Sequence, residues 1–202
     1  MVSRLENGAD TMIAPEKKPL FLLIASIFSF CFLVIKIQPV SVDANIRITI
    51  QEQQGNILSI SDARRPLRTF TYKIDSIDFP QSETLTHKKL GPLAVRKNFF
   101  MEAVTEVTVA KEGLYEFEIW SDDGFRLSLN GFLIAEHKND RAYRPTTAEF
   151  FMPRGKHQLK LEYFQGVAKL GLVASYRYLE SKRKHKIGEH SEYLLFSIPE
   201  RK

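Results

Sequence analysis

Beyond residue 45 the chain alternates apolar and polar positions with period two. The pattern is clearest from Gly113 to Gly131, where Tyr115, Phe117 and Ile119 alternate with Glu116, Glu118 and Trp120, and Phe125, Leu127 and Leu129 alternate with Arg126, Ser128 and Asn130. Successive strand side chains point to opposite faces, so each segment buries one row and leaves the other outside. Ser121-Asp122-Asp123-Gly124 predicts a polar turn joining two strands, its glycine taking a positive φ. Asn130-Gly131 is a strong signal for a tight hairpin.

Similar strands are predicted at Ile46 to Ile50, Phe70 to Phe79, Phe99 to Val109, Phe132 to Glu136, Ala148 to Met152, Leu159 to Tyr163 and Leu170 to Tyr178. Asn56 to Ile60 adds a short apolar stretch, and residues 81 to 92 read as a polar loop closed by Gly91-Pro92. Turn residues recur about every eight to twelve positions, the spacing of a sandwich or barrel. The segment 181–202 carries the basic run Lys182-Arg183-Lys184-His185-Lys186, a candidate for contact with anionic headgroups or a solvated loop, and then a candidate edge strand from Tyr193 to Ile198.

Ahead of this domain the pattern breaks. Residues 1–18 are polar and aperiodic, which predicts a disordered tail on the cytoplasmic side. Leu20 to Ile35 carries no charge, and with Pro19, a snorkelling Lys36 and Ile37 it reaches the length needed to span a bilayer. The reading is a transmembrane signal-anchor helix within 19–40, in contact with lipid through residues 19–37. Lys17 and Lys18 favour a cytoplasmic N-terminus and an extracytoplasmic bulk, in the periplasm or at the cell surface. A cleaved signal peptide ending near Val42-Asp43-Ala44 is the alternative.

Composition narrows the function classes. Net charge is +5, of which +4 falls beyond residue 40 and is dispersed, so nothing marks a nucleic-acid surface. The single cysteine, Cys31, lies in the apolar run and excludes an intramolecular disulfide or a cysteine-based zinc site. No phosphate-binding glycine loop or GxSxG elbow is present. His185, Glu189 and His190 miss the inverted zinc-protease spacing by one residue.

From Ala94 to Val173 the sequence resembles the PA14 domain family, β-sandwich modules of toxins, glycosidases and adhesins. The resemblance rests on Gly113-x-Tyr115-x-Phe117, on Ser121-Asp122-Asp123-Gly124-x-Arg126-Leu127-x-Leu129-Asn130-Gly131, and on Gly155 ahead of Leu159-x-Leu161-x-Tyr163-Phe164. It implies an all-β fold, a PA14-like antiparallel β-sandwich or barrel over 41–180 with its core at 94–178, here behind one N-terminal transmembrane helix. It also implies a non-catalytic, often carbohydrate-binding module.

In the yeast flocculin branch, two adjacent aspartates joined by a cis peptide hold a calcium ion that binds sugar hydroxyls. Asp122 and Asp123 stand at the matching positions. That branch draws further ligands from a second loop, whereas Gln165-Gly166-Val167-Ala168 here is short and lacks the asparagine; Asn139 and Asp140 are the candidate substitutes. The alternative is that both aspartates hydrogen-bond turn backbone. Trp120, with Phe164 and Tyr143, is a candidate for stacking on a sugar ring, against a reading in which both faces of its strand are buried between two sheets. The expected partner is a glycan or, failing that, a membrane or envelope protein docked on a scaffold module, with no catalysis.

Overall fold

The computed structural model describes residues 43–199 and residue 26. Among these no helix is long and apolar enough to cross a membrane. The tail at 1–18 and, apart from residue 26, the run at 19–37 lie outside the described residues.

The described chain is antiparallel β-structure. In order the strands are β1 (Ile46–Gln53), β2 (Pro66–Ile74), β3 (Asp78–Ser82), β4 (Thr86–His87), β5 (Gly91–Pro92), β6 (Phe99–Val109) and β7 (Gly113–Asp122). They continue as β8 (Phe125–Leu129), β9 (Phe132–His137), β10 (Arg144–Met152), β11 (Gly155–Gln165), β12 (Leu170–Tyr178), β13 (His185–Lys186) and β14 (Leu194–Ser197). The larger sheet runs β2-β1-β6-β11-β8-β9, with β14 also on β6; the smaller runs β10-β7-β12-β13, with β3 also on β12. Strands β4 and β5 form a separate two-residue ladder.

The period-two rows face as the alternation requires. Tyr115, Phe117 and Ile119 of β7 are fully buried, as are Leu161 and Tyr163 of β11 and Leu172 and Ala174 of β12. They meet Ile46, Ile48 and Ile50 of β1 in one core. Buried phenols find polar partners, Tyr115 donating to Lys111 O at 2.6 Å and Tyr176 to Glu189 O at 2.9 Å.

Several expectations are corrected. β7 and β8 are not a hairpin: they lie in different sheets, and Ser121 to Gly124 is an arch between them. The positive φ at the arch belongs to Asp123, at 67°, and not to Gly124. Gly124 is required for a different reason, since a Cβ there would lie 2.5 Å from both His137 O and a Phe164 ring carbon. Asn130-Gly131 is a hairpin turn, with φ of 49° and 85° and with Leu129 paired to Phe132. The run from Phe70 to Phe79 is two strands in two sheets, β2 and β3, because the chain changes sheet at 75–77.

Asn56 to Ile60 packs as a cap, with Ile57 and Ile60 closing on Phe100 and Phe164 in a second small core. The polar loop at 81–92 has a buried side in Leu85 and His87. The basic run is not free, since Lys184 pairs with Glu118 and Lys186 with Asp78, and β13 pairs with β12.

Candidate functional site

The two sheets end, at the side of the β7–β8 arch, in the loops 54–65, 122–124, 138–143 and 166–169. Asp123 ties three of them together. Its Oδ2 accepts the Gly166 amide at 2.7 Å, and its own amide donates to Arg141 O at 3.1 Å. The Ser121 hydroxyl donates to Asp123 O at 2.7 Å and so closes the arch internally. The cap joins the same group through Ile60 N to Lys138 O, at 2.8 Å, and a bridge between Ser59 and Asn139.

Asp122 and Asp123 are aimed at different partners. Asp122 Oδ2 accepts the Gln81 side-chain amide of β3 at 2.9 Å, while Asp123 turns inward to Gly166. Among the described residues there is no cis peptide bond. Asn139 is exposed, its backbone in the bridge to Ser59. Burial raises the Asp123 carboxyl to about 6, the negative charges of Asp122 and Asp140 adding to the rise while backbone hydrogen bonds from Gly166 and Arg141 oppose it. Asp122 is also raised by burial, against the Gln81 hydrogen bond and the charge of Arg141.

Arg141 is the cation hydrogen-bonded to the arch. Its Nε and Nη2 donate to Ser121 Oγ at 3.2 and 2.7 Å, Nη1 donates to Thr146 Oγ1 at 2.8 Å, and the guanidinium lies 5.3 Å from the Phe125 ring centroid. Burial lowers its pKa, and so does the charge of Arg144.

On the outer face of the smaller sheet, beside the arch, Trp120 is half-buried on the side opposite Phe117 and Ile119. This corrects the reading in which both faces of its strand are covered. Tyr143, from the 138–143 loop, lies beside it with ring centroids 5.5 Å apart and 36° between the planes. Gly171 makes room for Tyr143, because a Cβ there would come within 2.9 Å of the tyrosine ring. Phe164 is fully buried in the small core and takes no part in this surface.

The two rings line an open groove of about 550 Å³ walled by Glu118, Ser175, Lys184, His185, Lys186 and Glu189. The indole N–H donates to Glu118 Oε1 at 2.9 Å, and Lys184 Nζ meets Glu118 Oε2 at the same distance. Burial alone would raise Glu118, but the hydrogen bonds from Lys184 and Trp120 outweigh it and lower its pKa. Tyr143 is a candidate beside Trp120 in the sequence, whereas Glu118, Lys184 and Gly171 escaped that reading as parts of the site. The one available signal was that Glu118 shares the outward row of Trp120 at spacing two.

The architecture is thus an antiparallel β-sandwich with four loops gathered at one end and an aromatic groove on an outer sheet face. The chain belongs to the PA14 domain family, whose model matches residues 85–188, just over half of its length. No curated protein sequence matches it. Similar solved structures include the PA14 sugar-binding domain from an RTX adhesin, 18% identical, with a TM-score of 0.56 over 72% of this chain and 95% of that one. The PA14 domain of the MpAFP antifreeze protein is 15% identical, with a TM-score of 0.61 over 81% and 95%. The Epithelial Adhesin 9 A domain from Candida glabrata, in complex with Galb1-4GlcNAc, is 10% identical, with a TM-score of 0.56 over 79% and 93%. At such identities the likeness is one of fold.

Proposed function

We propose that this chain is a non-catalytic glycan-binding module, used for adhesion or glycan capture outside the cytoplasm, with the ligand seated on Trp120 and Tyr143. The observation that carries the reading is the half-buried aromatic pair on an outer sheet face, in a groove walled, apart from Val173, by polar side chains. An aromatic face stacks on the apolar face of a pyranose, while surrounding acceptors and donors take its hydroxyls. The lysines of the groove are paired with Glu118 and Asp78. A neutral sugar therefore suits the groove better than a charged one. Two of the similar structures, the RTX adhesin domain and the Candida adhesin domain, are described as sugar-binding or sugar-bound, which supports this reading.

Trp120 is the single tryptophan of the chain, so selectively excited tryptophan emission reports this site alone. The test is a glycan array with the full chain, followed by fluorescence titration of the hits. The expected result is a saturable change in emission, with binding lost in Trp120→Ala and Tyr143→Ala at an unchanged melting temperature. Binding that survives both substitutions would move the site elsewhere. An array with no hits would overturn the glycan reading.

Residues 19–37 supply the membrane anchor in this proposal, on the strength of the uncharged run from Leu20 to Ile35. Retention in the pellet after alkaline carbonate extraction is expected, and release into the supernatant would reject the anchor. A second reading, a protein-docking scaffold, is favoured by one feature: Phe132 is 71% and Leu133 54% exposed beside the Asn130-Gly131 turn. Cross-linking from position 132 in native membranes tests it.

A further inference from the structure

The donor set at the aspartate arch does not fit the calcium ion that the family resemblance implies, and we infer that the arch is locked by the protein's own N–H donors and by Arg141, so that ligand recognition by this module is independent of calcium. The consequence for recognition rests on the glycan reading above; the lock itself does not.

Calcium takes six to eight oxygen ligands converging at about 2.3–2.6 Å. Here the arch presents the reverse polarity. Asp123 Oδ2 is met by the Gly166 N–H, and Asp122 Oδ2 by the Gln81 amide. A cation replacing either donor would have to break that hydrogen bond, and the two carboxylates are held toward different partners. No group of three or more histidine, cysteine, aspartate or glutamate side chains among the described residues is arranged to hold a metal ion.

The second loop is equally committed. The side-chain amide of Gln165 donates to Val167 O at 3.1 Å and Lys169 O at 2.9 Å, and its oxygen accepts the Tyr163 hydroxyl. Two backbone carbonyls of that loop are thus drawn onto a fully buried glutamine.

A cation is nevertheless present. The Arg141 guanidinium donates twice to Ser121 Oγ, and that hydroxyl donates in turn to Asp123 O. A continuous chain of contacts therefore runs from Arg141 through Ser121 and Asp123 to Gly166. Arginine keeps its charge at any physiological pH, and its planar fork suits several fixed acceptors at once. Arg141 thereby supplies positive charge near the aspartates, its charge acting directly on Asp122.

The test is thermal unfolding of the full chain across calcium concentrations up to about 10 mM and in EDTA, with Arg141→Gln and Arg141→Lys beside the wild type. A ligand present at about a hundred times its Kd raises the melting temperature by several degrees when it binds only the native state. The expected result is a wild-type melting temperature that does not respond to calcium or EDTA, a lower one in Arg141→Gln that calcium does not restore, and partial recovery in Arg141→Lys. A dose-dependent rise in the wild type that disappears in Asp122→Asn/Asp123→Asn would overturn the inference. So would Arg141→Gln melting like the wild type. The thermal readout needs no glycan, so it stands apart from the fate of the glycan reading. Where the array yields a sugar, the Trp120 titration in EDTA is expected to match that in calcium, and a loss of affinity of tenfold or more in EDTA would contradict it.

Discussion

The Gly166 amide donates to the Asp123 carboxylate at 2.7 Å, pinning the β11–β12 loop to the β7–β8 arch across 43 residues of sequence. Asp123 is only 6% exposed, so truncating it leaves a buried donor without a partner. That costs about 1–3 kcal/mol. Asp122 makes its hydrogen bond to Gln81 in an exposed position. Asp123→Ala is therefore expected to lower unfolding stability by about 2 kcal/mol and Asp122→Ala by less than about 0.5 kcal/mol. Urea denaturation of the two variants checks the order, and equal losses would contradict it.

Two glycines of the same motif fail for different reasons. Gly124→Ala places a methyl 2.5 Å from His137 O and from the Phe164 ring, so backbone must move. Gly131 has open space around it and a φ of 85°, so Gly131→Ala pays only the left-handed backbone penalty of about 1–2 kcal/mol. Gly124→Ala is expected to be the more damaging, at about 3 kcal/mol or more by analogy with overpacked cores. Thermal melts of both variants decide it.

The carboxylates titrate with opposite consequences. Asp123 is raised by burial to about 6, above the 3.8 of a free aspartate. The folded state then binds the proton more tightly, so this contribution to stability is full below about pH 4 and is lost as pH rises through about 6. Glu118 is lowered by its hydrogen bonds to Lys184 and Trp120, so its contribution is present above the ordinary glutamate range and is lost as pH falls through its folded value. Asp123→Asn is expected to remove the falling limb between about pH 4 and 6 from the stability profile. Trp120 emission, reporting on Glu118, is expected to stay flat down to about pH 4.5, the ordinary glutamate range. An emission change centred above about pH 4.5 that persists in Asp123→Asn and in His185→Gln would show that Glu118 is not held low.

The rows of apolar residues, the number and order of the long strands and the Asn130-Gly131 hairpin were legible because each follows from local periodicity or local turn chemistry. The sheet to which each strand belongs was not. Tyr115, Phe117 and Ile119 alternate in the same way whether β7 pairs with β8 or faces it across the core, so the arch reads locally as a hairpin. Phe70 to Phe79 keeps its alternation through the change of sheet for the same reason. At the site, Asp123 stood out by motif, but its partner Gly166 and the cation Arg141 are contacts between distant loops. Nothing near Arg141 in sequence marks it as different from Arg144, and what sets it apart is its reach to the Ser121 and Thr146 hydroxyls.

Gln165 is the last element of the lock. It is fully buried, its amide donates to two carbonyls of the 166–169 loop, and its oxygen accepts from Tyr163. Tyr163→Phe removes one donor and leaves the glutamine oxygen unmatched, an expected loss of about 1–1.5 kcal/mol. Gln165→Ala strands three polar groups and opens a cavity, an expected loss of about 3–4 kcal/mol. The loop released by Gln165→Ala is the one that presents the Gly166 amide to Asp123, so the two interactions depend on each other. Once the loop is loose, Asp123→Ala has less left to remove. A double-mutant cycle is therefore expected to give a coupling of about 1 kcal/mol or more, well above the few tenths seen between independent sites. Additive losses would mean that the arch and the loop are held separately.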